Sequence, residues 1–156
     1  MKKRNKKYRQ KHVMRDPVTY VVNGTKKVSE EHQRNLAIKH SMAMTKFLQG
    51  NGDKSDFDII LGCVNMSLCM TEMFFNDNHR QTFLNGKAAL KSLGERYYKL
   101  NKFVLNGDEI KALNLCIQVC EEYMRNLLVK EVEMAINEVQ RRLDNKINVE
   151  KIKRAA

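Results

Sequence analysis

The chain of 156 residues has a single proline, Pro17, and no tryptophan. Proline interrupts helices and is common in turns, so its near absence over this length argues against many short strands and favours long helices. The length suits one domain with a modest hydrophobic core.

Sequence motifs that carry catalytic chemistry are also missing. The chain has no glycine-rich phosphate loop, no GxSxG elbow, no HRD-type sequence and no HExxH zinc motif. Paired acidic residues such as Glu121-Glu122 fit the solvated face of a helix. We therefore predict that the protein is not an enzyme and has no catalytic residue, metal or cofactor.

Long apolar runs are absent as well. No run approaches the roughly 20 residues of a membrane span, and the cationic N-terminus lacks the apolar stretch of a signal peptide. We expect no membrane span and an intracellular location, where cysteines are reduced. Cys63, Cys69, Cys116 and Cys120 stand among Val, Leu, Ile and Met residues and are expected to pack as small apolar side chains. The histidines are expected at surface or capping positions.

Positive charge, by contrast, is abundant and concentrated at one end. The net charge is +11, and the first 27 residues contain ten Lys or Arg residues against one acidic residue, Asp16. A dense cationic block attracts polyanions by releasing their counterions, or it docks on an acidic protein or lipid surface. The predicted binding residues of this tail are Lys2, Lys3, Arg4, Lys6, Lys7, Arg9 and Lys11.

Apolar periodicity divides the chain into four parts. The predicted parts are a basic flexible tail over residues 1–15, an extended segment or short hairpin over 16–28, a helical domain over 29–146 and a basic C-terminal tail over 147–156. The hairpin is predicted from alternating apolar residues followed by the turn signal Asn-Gly, in the stretch VTYVVNG.

The helical domain carries four apolar stripes at helical spacing, which predict an all-α, four-helix bundle-like fold. Helix starts are expected after Ser29, near Asp53 or Ser55, near Arg80 and at Asp108. The last stripe predicts one long C-terminal helix over 108–145, which would overhang the shorter helices before it.

An overhanging apolar stripe needs a cover. The sequence allows three alternatives for what covers this stripe: the chain's own tail folded back, a foreign partner, or a second copy that forms a homodimer through residues 132–143.

A second group of basic residues lies on the later helices. The predicted binding residues outside the tail are Lys87, Lys91, Tyr98, Lys102, Arg141 and Arg142. The first four are separated by 4, 7 and 4 positions and are expected to share one helical face. Cations beside an aromatic ring suit phosphate contacts and stacking on an unpaired base. The alternative is a solvated face that lysine keeps soluble.

Three stretches of the chain together resemble a group of small proteins of tailed bacteriophages. They are KKRNKKY at 2–8, IKHSMAMTKFLQG at 38–50 and GDEIKALN at 107–114. The group shares a KRxKxY-like start, a "KNHxAMxxLxQG"-like helix and a "GPEIxALN"-like helix start, where Asp108 here replaces the proline. The resemblance implies a phage or prophage origin, the cytoplasm of a bacterial host and a mostly helical fold. It implies no activity.

Two hypotheses about function follow. The first is a non-enzymatic phage accessory protein that binds nucleic acid or a nucleoprotein through the basic tail and the basic helix face. The alternative is an interaction protein that blocks an acidic site of a host protein, such as a component of a defence system or of the transcription machinery. Both require the same positive charge, so the sequence does not separate them.

Overall fold

The computed structural model describes residues 17–147, which fold into six α-helices. The helices are α1 (Pro17–Gly24), α2 (Glu30–Leu48), α3 (Lys54–Phe74), α4 (Arg80–Leu100), α5 (Gly107–Asn126) and α6 (Val129–Asp144). The all-α, bundle-like fold predicted from the sequence is confirmed.

The central element of the bundle is α3. It packs against α2, α4, α5 and α6, while α1 packs against α6. Ile60, Val64 and Met70 of α3 are fully buried, and they meet buried residues of α4 and α5 such as Phe83 and Leu113. A helix that is apolar around most of its circumference is expected at such a position.

By length and composition, α3 is also the one helix within residues 17–147 that could cross a membrane. The core helix of a soluble bundle meets the same criteria, and half of the apolar window of α3 is buried inside the fold. The expectation of no membrane span therefore stays a prediction.

The predicted helix starts are confirmed for α2 and α3 by their caps. The Ser29 hydroxyl accepts a hydrogen bond from the His32 backbone N–H at 3.2 Å. Asp53 and Asp56 form a capping box, in which each carboxylate accepts from the other residue's N–H at 3.0 Å. These bonds satisfy donors that a helix N-terminus otherwise leaves unpaired.

The cap of α5 lies two residues earlier than predicted. Asn106, and not Asp108, forms a capping box with Glu109, with N–H to oxygen distances of 2.8 and 2.9 Å. Asparagine is among the best N-cap residues, and a glutamate three positions later completes the box.

The extended segment or hairpin predicted over 16–28 is wrong for most of its described part, because Pro17–Gly24 is the helix α1. Proline is favoured at the first position of a helix, and Val18, Val21 and Val22 also fit helical spacing. Asn23-Gly24 therefore ends a helix. Further along, Lys27 forms an isolated antiparallel bridge with Leu128.

The single long C-terminal helix predicted over 108–145 is also wrong, because Leu127 and Leu128 separate α5 from α6. Both have extended backbone, with ψ angles of 152° and 155°. The Leu128 N–H donates to Glu131 at 2.7 Å, and the Val129 N–H donates to the Lys26 carbonyl at 2.9 Å. The break lets α6 turn back onto α3, so no overhang forms.

The apolar stripe predicted to form a homodimer through residues 132–143 is partly used within the chain. Val132 and Ala135 are buried in the fold, whereas Ile136 and Leu143 are half exposed. The homodimer stays a prediction, with less open apolar surface than an overhanging helix would have offered.

Candidate partner-binding groove

A groove of about 460 Å³ runs along α3, between α4 and α6. The floor belongs to α3, and α4 and α6 form the walls, since each of them packs on α3. Floor residues of α3 are Phe57, Leu61, Asn65, Leu68, Cys69 and Glu72. The α4 wall is made by Arg80, Leu84, Lys87, Leu90 and Lys91. On the α6 side stand Val139, Arg142, Leu143 and Ile147.

The groove combines an apolar interior with a basic rim. Among residues 17–147, four basic residues line it, namely Arg80, Lys87, Lys91 and Arg142, against a single acidic residue, Glu72. Glu72 accepts from Arg142 at 2.5 Å and lies 3.9 Å from the Arg80 guanidinium. The lining residues therefore carry a clear excess of positive charge, and most of it lies on α4.

Arg142 has a structural role in this groove. Its guanidinium joins α6 to α3 through Glu72 and also donates to Glu138 at 2.8 Å on its own helix. The hydrogen bond to Glu72 is the main cause that raises the pKa of Arg142. Hydrogen bonds from Arg141 and Arg142 lower the pKa of Glu138 to about 2. This ion-pair network sets the position of the α6 wall.

The structure brings together three of the six binding residues predicted outside the tail. Lys87, Lys91 and Arg142 line one groove. Arg141 belongs to the same helix as Arg142, but it is exposed outside the groove and pairs with Glu138 at 2.7 Å.

Tyr98 and Lys102 do not line the groove. Tyr98 is 42% exposed near the end of α4, where its ring meets the edge of Tyr97. The prediction that Lys102 shares a helical face with Lys87 is wrong, because α4 ends at Leu100 and Asn101 has a left-handed backbone with φ of 52°. The predicted binding residues between Lys2 and Lys11 lie outside the described residues, as does most of the C-terminal tail.

The floor of the groove and two of its charged residues, Arg80 and Glu72, were not predicted from the sequence. The signal was present in α3, where apolar residues cover more of the circumference than one neighbouring helix can bury. Sequence spacing alone does not indicate which of those residues other helices of the same chain will cover.

A second, smaller cavity of about 190 Å³ lies between α2 and α5, and His40 is one of the residues that line it. The predicted surface position of His40 is wrong. His40 was expected at the surface, but only 3% of it is exposed and its Nδ1 atom has no hydrogen-bond partner within the described residues. Burial lowers the pKa of His40, because the imidazolium form would lose its hydration. His32 is exposed, as expected.

We predict that the buried His40 makes the protein less stable as the pH falls below about 6.5. The unfolded chain binds a proton near the ordinary histidine pKa, whereas folded His40 resists protonation, so folding loses free energy in this range. Urea denaturation between pH 7.5 and about 5.5 measures the loss. The His40→Met variant should lack this pH dependence and His32→Ala should keep it. An unchanged pH dependence in His40→Met would contradict the assignment.

All four cysteines are buried free thiols, which confirms the predicted packing role. Cys116 is fully buried and its thiol donates to the Thr82 carbonyl at 3.3 Å. Burial raises the pKa of Cys116 to about 12, so it is a thiol at neutral pH.

Comparison with protein-family models, with curated protein sequences and with solved structures gives no significant match. The groove is therefore interpreted from its own residues and geometry.

Proposed function

We propose that this protein is a non-enzymatic binding protein that recognises an acidic segment of another protein through the groove on α3, α4 and α6. The observation that supports this proposal is the arrangement of basic residues around a floor that is apolar except for Asn65 and Glu72. Protein interfaces commonly have an apolar centre and a polar rim, whereas nucleic-acid interfaces are more polar throughout.

The charge around the groove favours an acidic partner. Lys87 and Lys91 lie on the α4 wall together with Arg80, and Glu72, the one acidic residue in the described part of the lining, pairs with Arg142 and Arg80. Positive potential at a rim accelerates encounter with a negative surface and selects against basic partners. Following the phage resemblance, we propose a host protein as the partner, with its acidic site blocked by the groove.

Charge reversal in the groove tests this proposal. Tagged full-length protein is incubated with nuclease-treated bacterial extract, and the retained proteins are identified at low and high salt. We expect a salt-sensitive acidic protein to be retained by the wild type and about tenfold less by the Lys87→Glu/Lys91→Glu variant.

The matched control is the Lys39→Glu/Lys111→Glu variant. Lys39 of α2 and Lys111 of α5 are exposed outside the groove, so this variant has the same net charge as the groove variant. It should retain the partner like the wild type. Equal losses in both double variants would mean that overall charge, and not the groove, drives binding.

Nucleic acid is the second candidate partner. The observation that favours it is the exposed Tyr98, which follows Lys87 and Lys91 on the same helix.

Removing residues 2–11 deletes seven cationic side chains, and each neutralised phosphate contributes a slope of about 0.7 to 0.9 in log affinity against log salt. The deletion should flatten that slope by several units for an oligothymidine, and Tyr98→Ala should weaken single-strand binding more than duplex binding. No binding at low salt would exclude this candidate.

A further inference from the structure

We infer that α6 exchanges between two copies of this chain, so that each α6 packs on the α3 of the other copy in a domain-swapped dimer. In this dimer α5 and α6 join into one continuous helix. The inference goes beyond the proposed function and does not rest on it, because the groove keeps the same lining residues when its α6 wall comes from the second copy.

The connection between α5 and α6 is very short and lies in a sequence that favours helix. Only Leu127 and Leu128 separate the two helices, and both have extended backbone. The sequence from Asp108 to Ile147 contains no glycine and no proline, and its apolar stripe predicts one helix over 108–145. Short connections of this kind favour exchange between copies, because straightening them carries the second helix onto a neighbouring molecule.

Two hydrogen bonds hold the chain in its bent form at this connection. The Val129 N–H donates to the Lys26 carbonyl at 2.9 Å, and the Leu128 N–H donates to the Glu131 side chain at 2.7 Å. In a continuous helix, both N–H groups would instead bond to the carbonyls four residues earlier. Each donor therefore has a partner in either form, so straightening the connection costs little in hydrogen bonds.

The surface that α6 leaves behind fits only another α6 of the same sequence in every contact. Val132 and Ala135 are buried in the fold, and Arg142 donates to Glu72 of α3 at 2.5 Å. Opening would expose the apolar side chains and break the ion pair, which is unfavourable. A second opened copy restores all of these contacts, so the inference commits to a second copy as the partner.

The closed monomer and the swapped dimer share nearly all contacts of α6, so their balance depends on protein concentration. Conversion between them requires α6 to leave α3, and unfolding in urea provides this opening. The dimer is therefore expected after refolding of the full-length protein at high concentration, and the monomer after refolding at low concentration.

Two complementary variants of the full-length protein test the exchange. Glu72→Arg places two arginines against each other within one chain, and Arg142→Glu places two glutamates there. Only a swapped dimer of one variant with the other pairs opposite charges at both contacts between α3 and α6. The variants, one of them tagged, are mixed in urea, refolded together at high concentration and analysed by sedimentation. We expect about tenfold more heterodimer than homodimer, because like charges face each other in either homodimer.

The matched control is a mixture of tagged and untagged wild type, in which heterodimer and homodimers should be equally abundant. The same proportions in the mixture of the two variants would overturn the exchange of α6. A wild type that stays monomeric after refolding at high concentration would also overturn it. Neither result would affect the proposed function, which depends on the groove in a single fold.

Variants of the connection give a second test, which does not depend on reversed charges. Leu128→Pro keeps the bent form, because the φ of −81° at Leu128 suits proline, but it prevents a continuous helix. We expect it to reduce the wild-type dimer at least about tenfold. Glu131→Ala removes an acceptor that holds the bend and should increase the dimer, whereas Glu122→Ala, at an exposed position of α5, should not change it. A dimer that Leu128→Pro leaves intact would be a side-by-side dimer and would overturn the inference.

Discussion

Replacing Arg96 with alanine should lower the free energy of unfolding by about 3 kcal/mol. The Arg96 guanidinium makes two hydrogen bonds to Glu109, at 2.6 and 3.0 Å, and also donates to the carbonyl of Val104. The Glu109 side chain is only 8% exposed, so the variant would leave a buried carboxylate without its counter-charge. Arg96 also joins the end of α4 to the start of α5 across the loop between them.

The pH dependence of the destabilisation distinguishes the loss of the Arg96–Glu109 ion pair from a loss of packing. Burial alone would raise the pKa of Glu109, but hydrogen bonds from Arg96 and Asn106 outweigh it and lower the pKa. In the wild type, this carboxylate therefore stabilises the fold above about pH 4.5. Without Arg96, burial of Glu109 dominates and the folded state favours the protonated acid. The loss of unfolding free energy in Arg96→Ala should therefore shrink as the pH falls from 7 to 4.

Urea denaturation at several pH values measures both effects. Arg125→Ala is the control, because Arg125 is exposed and lies 3.9 Å from Glu121 on the same helix, a type of pair that contributes little. We expect its stability to stay within about 0.5 kcal/mol of the wild type. If Arg96→Ala lowers the free energy of unfolding by the same amount at every pH, the ion-pair explanation is contradicted.

Two glycine-to-alanine substitutions should change stability in opposite directions. A Cβ atom at Gly86 of α4 would lie 2.4 Å from the sulfur of Cys116 on α5, and alanine there should destabilise the protein by about 2 kcal/mol. A Cβ atom at Gly62 of α3 meets nothing within 4 Å, and alanine there should stabilise it by up to about 1 kcal/mol through helix propensity. Thermal and urea unfolding of both variants give the comparison.

The double variant Gly86→Ala/Cys116→Ala tests the cause of the first effect. Cys116→Ala alone removes a buried sulfur and should also destabilise the protein. Together the two changes should cost clearly less than their sum, because the methyl group added at position 86 enters the space that the sulfur leaves. Additive losses would show that the close approach of α4 and α5 does not depend on Gly86.

The sequence predicted those parts of the fold that depend on local chemistry. The starts of α2 and α3 followed from Ser29 and Asp53, because a cap is formed by residues three apart in the chain. The break at Leu127 and Leu128 could not be predicted in this way. It is held by the bridge to Lys27, about a hundred residues earlier, and the local signs were an apolar stripe that drifts after Leu127 and Glu131, whose side chain accepts from the Leu128 N–H.

The candidate site, like the fold, could be predicted from the sequence only where it depends on residues close together in the chain. The spacing of Lys87 and Lys91 placed both on one side of a helix, and both line the groove. The spacing could not show that the next wall would come from α6, or that Arg142 would be engaged by Glu72, seventy residues away. Lys102 does not share this helical face, because Asn101 has a left-handed backbone conformation and ends α4 before Lys102.

The most direct test of the groove is site-specific photo-cross-linking of the full-length protein in host cells. A photoreactive phenylalanine derivative replaces Leu143 in the groove or Ile38 on the outer side of α2, two positions that are each 49% exposed. We predict a discrete adduct with one acidic protein from position 143 and none from position 38. The adduct from position 143 should disappear when Lys87→Glu/Lys91→Glu is added. A protein adduct only from position 38, or an adduct with nucleic acid from position 143, would contradict the account.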